Sequence, residues 1–114
     1  YDLNVTRPSG EPFVVLPNDE VANRLRFRVR NQSPKPTTYT VEAIEPASAT
    51  VKVLGRTPIA VPDGEMHRTE IWLITPPGEI EDGSQTATLR VRFENGTTQE
   101  MQFPLLGPSG PSGP

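Results

Sequence analysis

Residues 23–31 read Asn23-Arg24-Leu25-Arg26-Phe27-Arg28-Val29-Arg30-Asn31. Leu25, Phe27 and Val29 alternate with Arg24, Arg26, Arg28 and Arg30, a period of two that puts the apolar side chains on one face of an extended chain and the arginines on the other. Wound as a helix, the same residues would spread charge around the axis and leave no apolar side. The stretch is expected to be a strand with one dry face and one wet, basic face, and two-faced strands of this kind belong to antiparallel sheets.

Working outward, Asn31-Gln32-Ser33-Pro34-Lys35-Pro36 is a turn by composition, because its two prolines donate no hydrogen bond and hold φ fixed. Residues 37–44 then alternate again, Tyr39, Val41 and Ala43 inward against Thr38, Thr40 and Glu42, and antiparallel pairing with 23–31 is expected. Residues 49–54 and 58–61 are short β-rich pieces divided by Gly55, and Pro62-Asp63-Gly64-Glu65 is a further turn. Over 66–75, His67, Thr69, Ile71 and Leu73 share one face while Trp72 and Ile74 share the other. That predicts a central strand whose later half is covered on both sides. Pro76-Pro77-Gly78 stops it, and the acidic loop Glu79-Ile80-Glu81-Asp82-Gly83 follows. Residues 85–94 return to strict alternation, with Ala87, Leu89, Val91 and Phe93 inward. Asn95-Gly96 predicts a type I′ hairpin into a last strand over 97–103, with Met101 and Phe103 inward. Near the start, residues 13–16 form a first strand whose flanking Pro12 and Pro17 suit an edge.

About seven to eight strands separated by turns, with no amphipathic helix, predict an all-β, immunoglobulin-like antiparallel sandwich. A chain of 114 residues suits one domain. Its expected extent is 1–106, with 107–114, Gly-Pro-Ser-Gly-Pro-Ser-Gly-Pro, as a flexible tail too short for a collagen-type triple helix. An apolar fraction of 33% with 14 prolines and 9 glycines would suit a disordered chain; the regular spacing of the apolar residues argues otherwise. The absence of cysteine removes disulfides, thiolate zinc sites, iron–sulfur ligation and thiol nucleophiles together. The longest apolar runs, 13–16 and 71–74, fall far short of the roughly 20 residues that span a bilayer. A start at Tyr1 without a charged, then apolar leader is what an excised piece or a mature form would show.

A net charge of -3 with both signs interspersed gives no footprint for nucleic acid. His67 is the sole histidine and has no second base or thiol beside it in the sequence. Met66, His67 and Met101 are donors that suit Cu(I), yet inward methionines in a β core ordinarily pack, and packing is the preferred reading. The acidic loop lacks the regular Asp/Asn spacing of a calcium loop and reads as a solvated turn. With no phosphate loop or nucleophile elbow either, no catalytic, cofactor-binding or metal-binding residue is assigned and no enzyme activity is expected. The stripe Arg24, Arg26, Arg28 and Arg30 remains the most unusual surface feature. It is either neutralised by cross-strand partners such as Glu42 and Glu94, or a docking surface for an acidic partner or lipid head groups. Asn4-Val5-Thr6, Asn31-Gln32-Ser33 and Asn95-Gly96-Thr97 fit the glycosylation sequon, which matters only in a eukaryotic secreted protein.

Together these residues resemble the C-terminal immunoglobulin-like domain of the FixG family, accessory proteins of cbb-type cytochrome c oxidase. The resemblance rests on Asp2-Leu3-Asn4-Val5-Xaa-Arg7, Pro12-Phe13-Val14 with Leu16, and Val21-Xaa-Asn23. It continues through Phe27-Arg28-Val29-Xaa-Asn31, Pro36-Xaa-Xaa-Tyr39, Val53-Leu54-Gly55, Val61-Pro62, Trp72-Leu73 with Pro76, and Phe103 with Gly107-Pro108. Leu25 stands where the family leads one to expect an aromatic, and Glu70 where it leads one to expect an arginine.

The resemblance implies a domain on the periplasmic face of the bacterial inner membrane, reaching the membrane only through a preceding helix outside this chain. It also implies iron–sulfur clusters in the absent part of the full-length protein, a connection with copper handling, and a protein partner in a membrane oxidase-assembly complex. The domain itself would serve in docking or structural support. Two other readings compete. A periplasmic chaperone-like or adhesion-type sandwich would bind a partner strand along an open edge, against which the prolines around 13–16 argue. A carbohydrate-binding module would need exposed aromatic platforms, and Tyr39 and Trp72 are expected in the core.

Overall fold

The strand that opened the sequence reading is the spine of one sheet. In the computed structural model, which describes residues 2–8, 10–55, 57–80 and 83–108, it spans Val21–Arg30. In chain order the strands are β1 (Asp2–Thr6), β2 (Val14–Val15), β3 (Val21–Arg30), β4 (Thr37–Glu45), β5 (Thr50–Val53), β6 (Ile59–Val61), β7 (Met66–Thr75), β8 (Ser84–Phe93) and β9 (Thr98–Leu106). The first sheet has the order β1-β3-β7-β5, with β2 also pairing β3; the second has the order β6-β4-β8-β9. All pairings are antiparallel. The expected all-β sandwich of immunoglobulin type is therefore the fold, and no helix among the described residues is long and apolar enough to cross a membrane.

The two sheets close on one core, because every long strand turns one face of apolar side chains inward. Leu25, Phe27 and Val29 of β3 and Ile71 and Leu73 of β7 meet Tyr39 of β4, Leu89, Val91 and Phe93 of β8, and Leu105 of β9. Each of these is at most 1% exposed, and burying a side chain of that size contributes about 1.5–3 kcal/mol. The Tyr39 and Phe93 rings lie 5.9 Å apart at 47°, a tilted arrangement that suits their quadrupoles.

Three expectations are corrected. Strands 23–31 and 37–44 do not pair: β3 bonds to β1 and β7, and β4 to β6 and β8. The six-residue segment between them carries the chain from one sheet to the other, a gap of about 10 Å. Buried Asn31 holds that crossing together, donating to the Lys35 carbonyl at 2.8 Å and accepting from the Ser33 amide at 3.0 Å. Second, there is a ninth strand, β1, whose only inward apolar residues are Leu3 and Val5; the expected first strand over 13–16 is reduced to β2, which continues the same edge of β3. Third, the hairpin after β8 is not type I′. Asp19 alone among described non-glycine residues has positive φ, while Gly96 has φ 92°. The Gly96 amide bonds to the Phe93 carbonyl at 2.9 Å and the Phe93 amide to the Thr97 carbonyl at 2.8 Å. That is a three-residue loop with glycine at the left-handed position. Asn95 stays at negative φ and accepts from the Thr97 amide at 2.9 Å.

At the expected start of the tail, Gly107 is buried and donates to the Gly83 carbonyl at 3.0 Å. A Cβ there would lie 3.1 Å from Ile80 Cγ2, so the close approach suits glycine. Residues 109–114 of that expected tail, and Glu81 and Asp82 of the acidic loop, lie outside the described residues.

Candidate docking surface

The arginine stripe occupies the outer face of the first sheet, where register rather than sequence decides its neighbours. Residues opposite one another in antiparallel strands share a face. Arg24, Arg26, Arg28 and Arg30 of β3 therefore meet Trp72, Glu70, Arg68 and Met66 of β7 on one side. On the other side Arg26, Arg28 and Arg30 meet Thr6, Asn4 and Asp2 of β1. Lys52 of β5 lies opposite Trp72 and joins the same face.

Arg24 and Arg26 of the stripe find a carboxylate, from a residue other than the expected Glu42 and Glu94. Glu70, where the family resemblance leads one to expect an arginine, lies 3.5 Å from both Arg24 and Arg26. Glu42 instead sits on the second sheet, 3.9 Å from Arg92, and Glu94 follows β8 on that same sheet, its amide bonded to the Thr38 carbonyl. Arg28 donates to the sulfur of Met66 at 3.3 Å. Arg24 also places its guanidinium 5.7 Å from the centre of the Trp72 ring, a cation–π distance. Trp72 is thus half-buried beneath an arginine on the outer face and not in the core; Tyr39 alone of the expected pair is inside. Trp72 points outward because its neighbours Ile71 and Leu73 hold the inward positions of a strand with period two.

Other candidates are not brought together. Met66 and His67 are consecutive on β7 and face opposite sides, and Met101 packs against the core from β9 on the other sheet. Among the described residues no group of three or more His, Cys, Asp or Glu is placed to hold a metal ion. Asn31 is fully buried with its amide nitrogen bonded, which removes it as a glycan acceptor. Along the second sheet's edge, β9 is nine residues long, yet Pro104 interrupts its donors and the Pro104 carbonyl already accepts from Arg7 at 2.6 Å.

That arginine is part of a closure the sequence reading missed. Arg7 donates to the Pro12 carbonyl, to Asn23 Oδ1 at 3.0 Å and to the Pro104 carbonyl, and its guanidinium lies 5.2 Å from the centre of the Phe103 ring. Burial holds its pKa below the ordinary guanidinium value. Asn23, fully buried, exchanges two hydrogen bonds with the Leu106 backbone at 2.8 and 2.9 Å. The start of the first sheet is thereby tied to the end of the second.

No curated protein matches the chain. Among solved structures, the crystal structure of a FixG-related protein from Vibrio parahaemolyticus superposes with a TM-score of 0.60 at 19% identity, covering 92% of this chain and 94% of that one. The solution structure of a lipoprotein from Bacteroides thetaiotaomicron gives a TM-score of 0.44 at 12% identity over 96% of this chain and 83% of that one. The family described as "IG-like fold at C-terminal of FixG, putative oxidoreductase" matches residues 1–108. On that match, which takes in the Arg7–Asn23 closure and the nine strands of the described residues, the chain belongs to the family of immunoglobulin-like domains found at the C-terminus of FixG.

Proposed function

We propose that this domain is a non-catalytic accessory module of a membrane-bound, iron–sulfur FixG-like protein, working on the periplasmic face of the bacterial inner membrane in the assembly of cbb-type cytochrome c oxidase and its copper supply. Its part is docking and structural support toward a protein partner, with redox chemistry left to the portion of the full protein outside this chain. The observation that carries the reading is where the family-like residues lie. Arg7, Pro12, Asn23, Asn31 and Phe103, five of those residues, build closures and crossings of the sandwich. Residues spent on holding shape suit a scaffold that presents a surface. Strand addition at β9 is disfavoured by Pro104 and by the arginine on its carbonyl.

The test is removal of residues 1–108 from the full-length protein in its own host, followed by measurement of assembled oxidase and of the truncated protein's level in the membrane. Loss of oxidase with the remaining protein still present is the expected result. Normal oxidase under those conditions would overturn the reading.

A further inference from the structure

The two sheets carry their charge differently. On the outer face of the second, Arg90 and Arg92 each have a carboxylate of their own, Glu100 at 2.6 Å and Glu42 at 3.9 Å. On the outer face of the first, Arg24, Arg26, Arg28, Arg30, Arg68 and Lys52 gather six of the chain's 11 lysines and arginines on a protein of net charge -3. The strand carboxylates sharing that face are Glu70, divided between Arg24 and Arg26, and Asp2. Arg28 and Arg68 stand directly opposite each other. Like charges so placed destabilise a sheet, and among the described residues no carboxylate lies within ion-pair distance of either. Three N–H groups on this face, Arg24 Nε, Arg28 Nε and Trp72 Nε1, are shut off from solvent without an acceptor.

Apolar surface completes the face at one end. A hollow of about 330 Å³ is lined by Leu16, Lys52, Leu54, Trp72 and Ile74, with Leu54 47% exposed. Toward the other end a groove of about 420 Å³ runs between Asp2, Asn4, Arg28, Arg30 and Met66. Apolar hollow, shared Glu70 and surplus cations thus follow one another along β7.

We propose that this face docks an extended acidic polypeptide segment, an apolar side chain seated in the Trp72–Leu54 hollow and carboxylates laid over Arg28, Arg68 and Arg30. The inference rests on the docking function above and names its surface and partner chemistry. Trp72 and Arg68 are four residues apart on one strand, about 13 Å at a rise of about 3.3 Å per residue. The ligand's anchor and its first carboxylates are accordingly about four residues apart. Five of the six cations are arginines, whose planar fork takes a carboxylate in two-point fashion. Arg24 and Arg26 are held by Glu70, with side chains 32% and 42% exposed, which leaves Arg28, Arg30 and Arg68 as the cations for a ligand's carboxylates.

The probe is a synthetic peptide with two leucines at one end, a short glycine spacer and four glutamates at the other, titrated into the isotope-labelled chain and followed by NMR. The expected result is a shift of the indole N–H of Trp72, the single tryptophan, together with the amides of β3 and β7. Salt weakens the binding, and Arg28→Glu with Arg68→Glu weakens it about tenfold or more. Arg90→Glu with Arg92→Glu leaves it unchanged. Arg68→Gln relieves the like-charge pair, so it weakens binding while raising the melting temperature, and it serves if the double reversal does not fold. A silent Trp72 indole, an equal loss in the Arg90/Arg92 variant, or a response to phosphatidylglycerol vesicles without one to the peptide would each overturn the proposal. In the host, oxidase assembly lost on deletion of residues 1–108 but kept in the Arg28/Arg68 variant overturns this face and leaves the docking function standing. If neither change affects assembly, both fall.

Discussion

Tyr39 shows how much a single residue's setting weighs. It is 1% exposed between the sheets, and burial pushes its phenol up to about 12, with Thr69 across the core offsetting part of the shift. A group whose pKa is raised on folding adds stability that is fully present below its unfolded pKa, about 10, and is lost as pH rises toward the folded value. The protein is therefore expected to weaken between about pH 10 and 12 through this residue. Denaturant midpoints measured across that range should fall more steeply for the native chain than for Tyr39→Phe, which has nothing to ionise. Equal slopes would place the hydroxyl in water. The stripe arginines differ in kind: Arg24, a third exposed and 3.5 Å from its carboxylate, makes a surface pair that contributes little to stability.

At the scale of elements, β3 is the case where local pattern and final structure coincide, since all four arginines face out and Leu25, Phe27 and Val29 are buried. The hairpin between β8 and β9 is where they part. Asn-Gly suits a two-residue I′ turn, but two inward-facing strands must keep Leu89 opposite Met101 and Ala87 opposite Phe103, and that register needs three loop residues. Only Gly96 then requires positive φ. Gly96→Ala is expected to cost about 1 to 2 kcal/mol, whereas Asn95→Ala gives up only the bond to the Thr97 amide, about 1 kcal/mol or less. Thermal unfolding of the two variants tests the order; a larger loss at position 95 would restore the I′ geometry.

Across the whole molecule, the Arg7–Asn23–Leu106 closure binds the two sheets where their termini meet. Asn23→Ala would strand the Leu106 amide and carbonyl and remove a partner of Arg7. At about 1–3 kcal/mol per buried group left unpaired, a loss on the order of 3 kcal/mol is expected. Chemical denaturation of Asn23→Ala beside Arg24→Gln reads it. Similar losses for the two would mean that the closure holds no more than a surface ion pair does. This closure was invisible to pattern reading, because its members are 16 and 83 residues apart in sequence. The only hint was that Arg7 and Asn23 both fell within the family-like stretches.

The sequence by itself determined which side of each long strand is dry, where most strands stop, and that the product is an all-β sandwich of this family. Side-chain alternation and proline or glycine punctuation are local properties, readable without knowing what lies across the fold. Only the tertiary structure decided that β3 and β4 belong to different sheets, that Glu70 rather than Glu42 or Glu94 meets the stripe, and that Trp72 lies under Arg24 on the outer face. Backbone donors and acceptors are the same on every strand, so the choice of neighbour and register falls to packing between residues far apart in the chain. The gathering of six cations on one sheet face is a product of that choice.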